Sequence, residues 1–294
     1  MSEAQRLAAW DEVDLSALLT LDRLSHDTWR NRYGDANPNA RSFGGQLLGQ
    51  ALMAAHQDLQ ANRQVSAMQF LFLQGAVPDE PIDFEVQTLQ EGKRFTSRAV
   101  RGSQRGCINF NAHVTFNAGM EGPAHQTFNA FPNDPEDLPA IDQVTASSPA
   151  RLAALGSYPF LEKPSMDIRI ADLPGQTAPD NRDARLRFWI RTRRSLPDDP
   201  GISASAFAYL SDWFLNFSSF SPYVLGAAAT RPIYLASLNH CIWFHRPLTP
   251  TDWMHVDSQS PSAAGGLGLS IAQIHDRHGV HLATTAQQSL IALT

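Results

Sequence analysis

The chain holds only two cysteines in 294 residues, Cys107 and Cys241. They have neither metal-knuckle spacing nor the number for a disulfide framework, so a reducing, cytoplasmic setting is expected. Basic residues are also scarce: 23 Lys and Arg stand against 29 Asp and Glu, giving a formal net charge of -6 and a pI near 5.9. A nucleic-acid partner calls for the opposite field, which excludes that class. No uninterrupted apolar run reaches the roughly 18–20 residues of a membrane-spanning helix. The opening MSEAQRLAAWDEVDL lacks the basic start and apolar stretch of a signal peptide, so none is expected. H-E-x-x-H and the Walker A loop are missing as well, and with them the commonest metalloprotease and nucleotide signatures. GLSIA (268–272) is one residue short of a G-x-S-x-G elbow and lies in a strand pattern rather than a strand-to-helix turn.

What remains is an ordinary globular composition, 43% hydrophobic and 18% charged, long enough for one large or two ordinary domains. SFGGQLLGQALMAAHQDL (42–59) puts Leu48, Leu52, Ala55 and Leu59 on one helical face, with Ser42 as the expected N-cap. Its glycines Gly44, Gly45 and Gly49 lower helix propensity but, without side chains, let the helix backbone lie close to something. Strands follow. VSAMQFLFLQG is apolar; IDFEVQT points Ile82, Phe84 and Val86 one way; KRFTSRAV follows a turn. CINFNAHVTF alternates Ile108, Phe110, Ala112, Val114 and Phe116 inward. Residues 119–165 are rich in Pro, Asn, Asp and Ser and read as a long connection.

The second half repeats this order. ARLRFWIRT reads as a strand, and PDDPGISASAFAYLSDWFLNF as one helix capped by Asp199 with Pro200 in its first turn. IYLASLNHCIWFHR, DWMHVDSQ, GLGLSIAQI and VHLATTAQQSLIAL read as four more strands. The turn QRG before Cys107 matches DRHG before Val280, and Gly279 minus Gly106 gives an offset of 173. At that offset the first helix, near Gly44, falls on the second near Asp212, which indicates an internal duplication. The pattern implies an α+β fold in two tandem repeats, each an antiparallel sheet wrapped on one helix: 13–118, the connection 119–165, and 166–294.

Few residues qualify for chemistry. In ASLNHCIWFHRP, regular strand alternation puts Ser237, Asn239, Cys241, Trp243 and His245 on one face and His240 on the other. Ser237 and His240 then form no nucleophile–base pair, and His245 lies about 27 Å along the strand from Ser237. His275, His278 and His281 straddle a turn and read as rim residues. The arginines of NRDARLRFWIRTRR suit a solvated strand face better than a phosphate site. Asp212, among aromatic residues in YLSDWFLNF, stands out. A carboxylate there is costly unless hydrogen-bonded, and it reads equally as a satisfied structural group or as a catalytic one.

FGGQLLGQAL (43–52), LRFWIRT (186–192), YLSDWFL (209–215), ASLNHCIWFHRP (236–247) and ATTAQQ (283–288), in that order and spacing, resemble the type II acyl-CoA thioesterases of the double hotdog fold. The resemblance runs from about Leu18 to Leu293. It implies an acyl-CoA substrate and a water activated by Asp212, Ser237 and Gln287, with no metal or redox cofactor. Ser237 stands where the family has Thr, which keeps the hydroxyl and loses the β-branch. Asn239 replaces a family Asp, and Met68 and Gln74 replace polar residues of the first-half strand. A homo-oligomer, dimer or tetramer, is expected. The rival readings are a non-catalytic acyl-thioester-binding protein and an enoyl-thioester hydratase or dehydratase; the latter usually needs an Asp/His pair, which strand alternation does not assemble.

Overall fold

Alternating apolar side chains give each strand one face to bury, and a helix covers that face in each half, glycine-rich in the first. The computed structural model describes residues 6–293 except 38, 129–130, 132, 142, 144–162, 172, 177, 179–182 and 225–232. The first half contributes β1 (Leu21–Arg23), β2 (Thr28–Asn31), helix α1 (Gly44–His56), β3 (Gln64–Phe72), β4 (Asp83–Glu91), β5 (Phe95–Gln104) and β6 (Cys107–Asn117). The second contributes β7 (Met166–Arg169), β8 (Arg185–Thr192), helix α2 (Pro200–Ser211), helix α3 (Phe217–Val224), β9 (Ile233–Phe244), β10 (Met254–Ala264), β11 (Leu267–His275) and β12 (His281–Leu293). These twelve strands form one sheet, ordered β1-β2-β4-β5-β6-β3-β9-β12-β11-β10-β8-β7, and two short strands, Ala8–Ala9 and Tyr33–Gly34, pair separately. The second six reverse the order of the first, so the halves meet across β3 and β9 about a pseudo-twofold axis. There Phe70 pairs with His240 and Met68 with Ile242.

The helices fill the curve of the sheet. Leu48, Leu52 and Ala55 are buried as the pattern predicts, each leucine contributing about 1.5–3 kcal/mol. Leu59, read as part of that face, lies beyond the helix end, and the N-cap is Phe43 rather than Ser42. Asp199 caps α2 as expected, its Oδ1 accepting from the N–H of Gly201 (2.7 Å) and Ile202 (3.0 Å). The two helices run antiparallel at close range. A Cβ on Gly45 would sit 2.4 Å from the Tyr209 carbonyl oxygen, and one on Gly49 2.8 Å from that of Ser205. The glycines are the contact.

Three further expectations change. The segment read as one helix through Phe217 ends at Ser211, where Asp212 becomes the C-cap, and Phe214 takes a left-handed φ of 56° before α3 begins. Ile108 is exposed, because a register shift in the β5–β6 pairing turns it outward while Phe110 to Phe116 stay inward. Finally, no single offset relates the halves. A bulge at Ser66 in β3 and one at Leu238 in β9 occupy equivalent places, an offset of 172 (238 minus 66). The helices align at 156 instead (200 minus 44). From helix start to strand bulge the second half is therefore 16 residues longer (172 minus 156), in the stretch that holds α3.

Candidate active site

Asp212 caps the C-terminus of α2, Ser237 lies on β9 and Gln287 on β12, the strand beside it. The fold brings all three together. The Gln287 amide nitrogen donates to Asp212 Oδ1 at 2.7 Å and to Ser237 Oγ at 2.9 Å. Both amide hydrogens are thereby used, and the Ser237 proton remains available to a third group. Gln287 itself is 1% exposed, whereas Gln288 is half-buried on the opposite face.

The second Asp212 oxygen faces the first half. A Cβ on Gly44 would lie 2.5 Å from Asp212 Oδ2 and 3.3 Å from the ring of Phe72. Gly44 is the first residue of α1, and the helix has no side-chain cap. The first-turn N–H groups have no intrahelical acceptor, so the positive end of α1 opens beside the carboxylate. This end is held from behind. The Phe43 N–H donates to the Asp35 carbonyl (2.8 Å), and Tyr209 OH donates to Asp35 Oδ2 (2.9 Å), linking α1 to α2 one turn before Asp212. Burial raises the Asp35 pKa, opposed by Lys163, whose ammonium also pairs with it.

His240 does not lie on the face opposite Ser237 that regular alternation predicts. Leu238 is the unpaired bulge residue, so alternation skips there and His240 turns inward beside Ser237. The ring is fully buried, with Nδ1 3.6 Å from Asp212 Oδ1. Ser211 Oγ donates to the Ala208 carbonyl (2.8 Å) and lies 3.0 Å from His240 Nε2. Asn239 Oδ1 accepts the Gln288 N–H at 3.2 Å, on the side away from Asp212. Neither the Gly44 contact nor the approach of His240 was foreseen. The paired glycines hinted at the first, and nothing in the residues marks a bulge.

Comparison with known proteins places this geometry in a family. Residues 33–117 match the acyl-CoA thioesterase N-terminal domain and residues 133–291 the acyl-CoA thioesterase C-terminal domain. The chain belongs to the type II acyl-CoA thioesterases, with the double hotdog fold. It is 28% identical to mouse acyl-coenzyme A thioesterase 8 over 96% of this chain and 89% of that one. It is 29% identical to Haemophilus influenzae acyl-CoA thioesterase 2, over 95% and 96%. The crystal structure of acyl-CoA thioesterase II TesB2 from Mycobacterium marinum superposes with a TM-score of 0.76, at 28% identity over 96% of this chain and 99% of that one.

Proposed function

We propose that the protein hydrolyses acyl-CoA to a free carboxylic acid and CoA, with water as the nucleophile. The observation that carries this reading is the Gln287 amide bridging Asp212 and Ser237. Gln287 fixes one carboxylate oxygen and leaves the other beside the α1 N-terminus, where a thioester carbonyl would sit. Asp212 takes a proton from a water held by the Ser237 hydroxyl, and the water oxygen bonds to the carbonyl carbon. Negative charge gathers on the carbonyl oxygen and is met by the first-turn N–H groups of α1. Collapse breaks the C–S bond, and the thiolate recovers the proton from Asp212. The group bonded to the Ser237 oxygen is an amide donor that cannot accept its proton, which supports a water-holding role for Ser237 over a nucleophilic one.

The second reading, enoyl-thioester hydration, gains an Asp/His pair from the bulge. It remains second because His240 is fully buried and its Nε2 is bonded to Ser211, so the ring lies behind Asp212. Purified protein given saturated acyl-CoAs from short to long should release free thiol from some of them. Loss of enoyl absorbance from an enoyl-CoA, with no thiol release from any of the saturated acyl-CoAs, would reverse the order of the two readings. The unpaired Cys107 and Cys241 support a cytoplasmic setting. Exposed Leu71, Tyr234 and Trp243 on the two central strands support a homo-oligomer.

A further inference from the structure

The pseudo-twofold axis that builds the Asp212 site also builds its counterpart at the other end of the helix pair. At the helix C-termini, His56, the last residue of α1, takes the place that Asp212 has at the end of α2. With the strand offset of 172, Ser237 corresponds to Val65 and Phe72 to Phe244. The partner of the residue two places past each bulge, Met68 in β3 and His240 in β9, makes Val114 the equivalent of Gln287. The contact between helix end and side chain is repeated too: a Cβ on Gly201 would lie 2.4 Å from His56 Nδ1, as one on Gly44 would meet Asp212.

This end encloses a cavity of about 560 Å³, in the range of sites that hold small ligands. Its walls include His56, Val65, Ser203, Phe244, Arg246 and Leu248. Every group that would act on a thioester is missing. The carboxylate is an imidazole, the serine and glutamine are valines, and the N–H groups of Gly201 and Ile202 already donate to Asp199. The apolar wall persists: Phe244 stands where Phe72 stands, and the space between sheet and helix remains open. Exposed Arg246 at the rim suits a phosphate. Asp198 and Asp199 oppose it there, the latter committed to its cap.

We propose that this cavity is a second acyl-thioester site, which holds acyl-CoA without cleaving it. The proposal rests on the acyl-CoA reading for its ligand class. The test is a calorimetric titration of the full chain with an S-alkyl-CoA thioether, a probe that no thioesterase can cleave. Two equivalents per chain are expected for the wild type and for Asp212→Asn. Ser203→Trp, which fills the cavity, should leave one. Arg246→Glu, an exposed change that spares the core, should weaken one of the two equivalents at least threefold. Circular dichroism checks that each variant is folded. One equivalent in the wild type would overturn the proposal, as would two equivalents unaltered by both substitutions. Thiol release from acyl-CoA is scored separately, so failure of hydrolysis and failure of the second site are told apart.

Discussion

At one end of the antiparallel helix pair Asp212 lies against Gly44, and at the other His56 lies against Gly201. The two ends are about 18 Å apart along twelve helical residues. They share backbone, bulge and glycine contact and differ in four side-chain features. The first end has a carboxylate, a hydroxyl, a bridging amide and an uncapped helix start. The second has an imidazole, two valines and a start closed by Asp199 and Pro200. A duplicated fold therefore supplies position without supplying reactivity. In the proposed mechanism the hydrolytic end is defined by which carboxylate oxygen is fixed, which is free, and whether helix N–H groups remain to meet an oxyanion.

The largest effect expected from breaking this asymmetry is at the carboxylate. Asp212→Asn removes the proton acceptor and should lower kcat by roughly 10²–10⁴, the usual size of a general-base contribution, with an unchanged melting temperature. Activity within a few-fold of wild type would show that the catalytic group lies elsewhere.

Next is the amide that ties the site together. Gln287→Ala should lower kcat on the order of 10–10²-fold, because both Asp212 and Ser237 lose their shared partner and the water its alignment. Gln288→Ala, one residue along on the opposite face, should change kcat less than threefold. The opposite ranking would mean that the face of β12 turned toward the reaction is the other one.

Much of this arrangement is legible in the residues. Alternation in β4 and β6, the Asp199–Pro200 helix start and the order of strands and helix in each half all follow from periodicity and capping. Asp212, Ser237 and Gln287 follow from family resemblance and meet as it implies. What is not legible comes from single-residue events. One unpaired residue, Leu238, reverses the facing of everything after it, which brings His240 to Asp212 against the alternation rule. The break after Ser211 is set by tertiary packing around Phe214 and α3, and no Pro or Gly announces it. The equivalence of His56 and Asp212 is hidden because the 16 extra residues shift strand and helix offsets apart.

The glycines at the two helix starts offer a matched pair. Gly44→Ala would drive a methyl group against Asp212 Oδ2, so the carboxylate must move. A displacement of about 1 Å at a reacting group costs on the order of 10²-fold, and a loss of about 10–10² in kcat is expected. Gly201→Ala makes the same intrusion on His56. There the consequence should be overpacking, about 1–3 kcal/mol of stability, with kcat within twofold. Equal losses of activity from both would mean that the two ends are coupled in turnover.

Acid should separate the halves by a smaller margin. In the second half His245, His255, His275 and His281 all have pKa values below the usual histidine value, burial being the first cause for each; His255 is lowered to about 3. Around His255 the neighbouring charges of His275, Arg187 and Arg185 act in the same direction and Asp257 opposes them. In the first half His56 is lowered, again by burial first. A depressed histidine is neutral when folded and takes up a proton more readily when unfolded. Its stabilising contribution is therefore complete above about pH 6.5 and is lost as pH falls toward the folded value, by about 1.4 kcal/mol per pH unit for a group such as His255. Amide hydrogen exchange at pH 7.5 and pH 5.0, corrected for intrinsic rates, should show protection falling more in 254–293 than in 83–117. Equal loss in the two segments would mean that the sheet opens as one unit across the β3–β9 seam, and that the acid sensitivity of the second half is shared by the first.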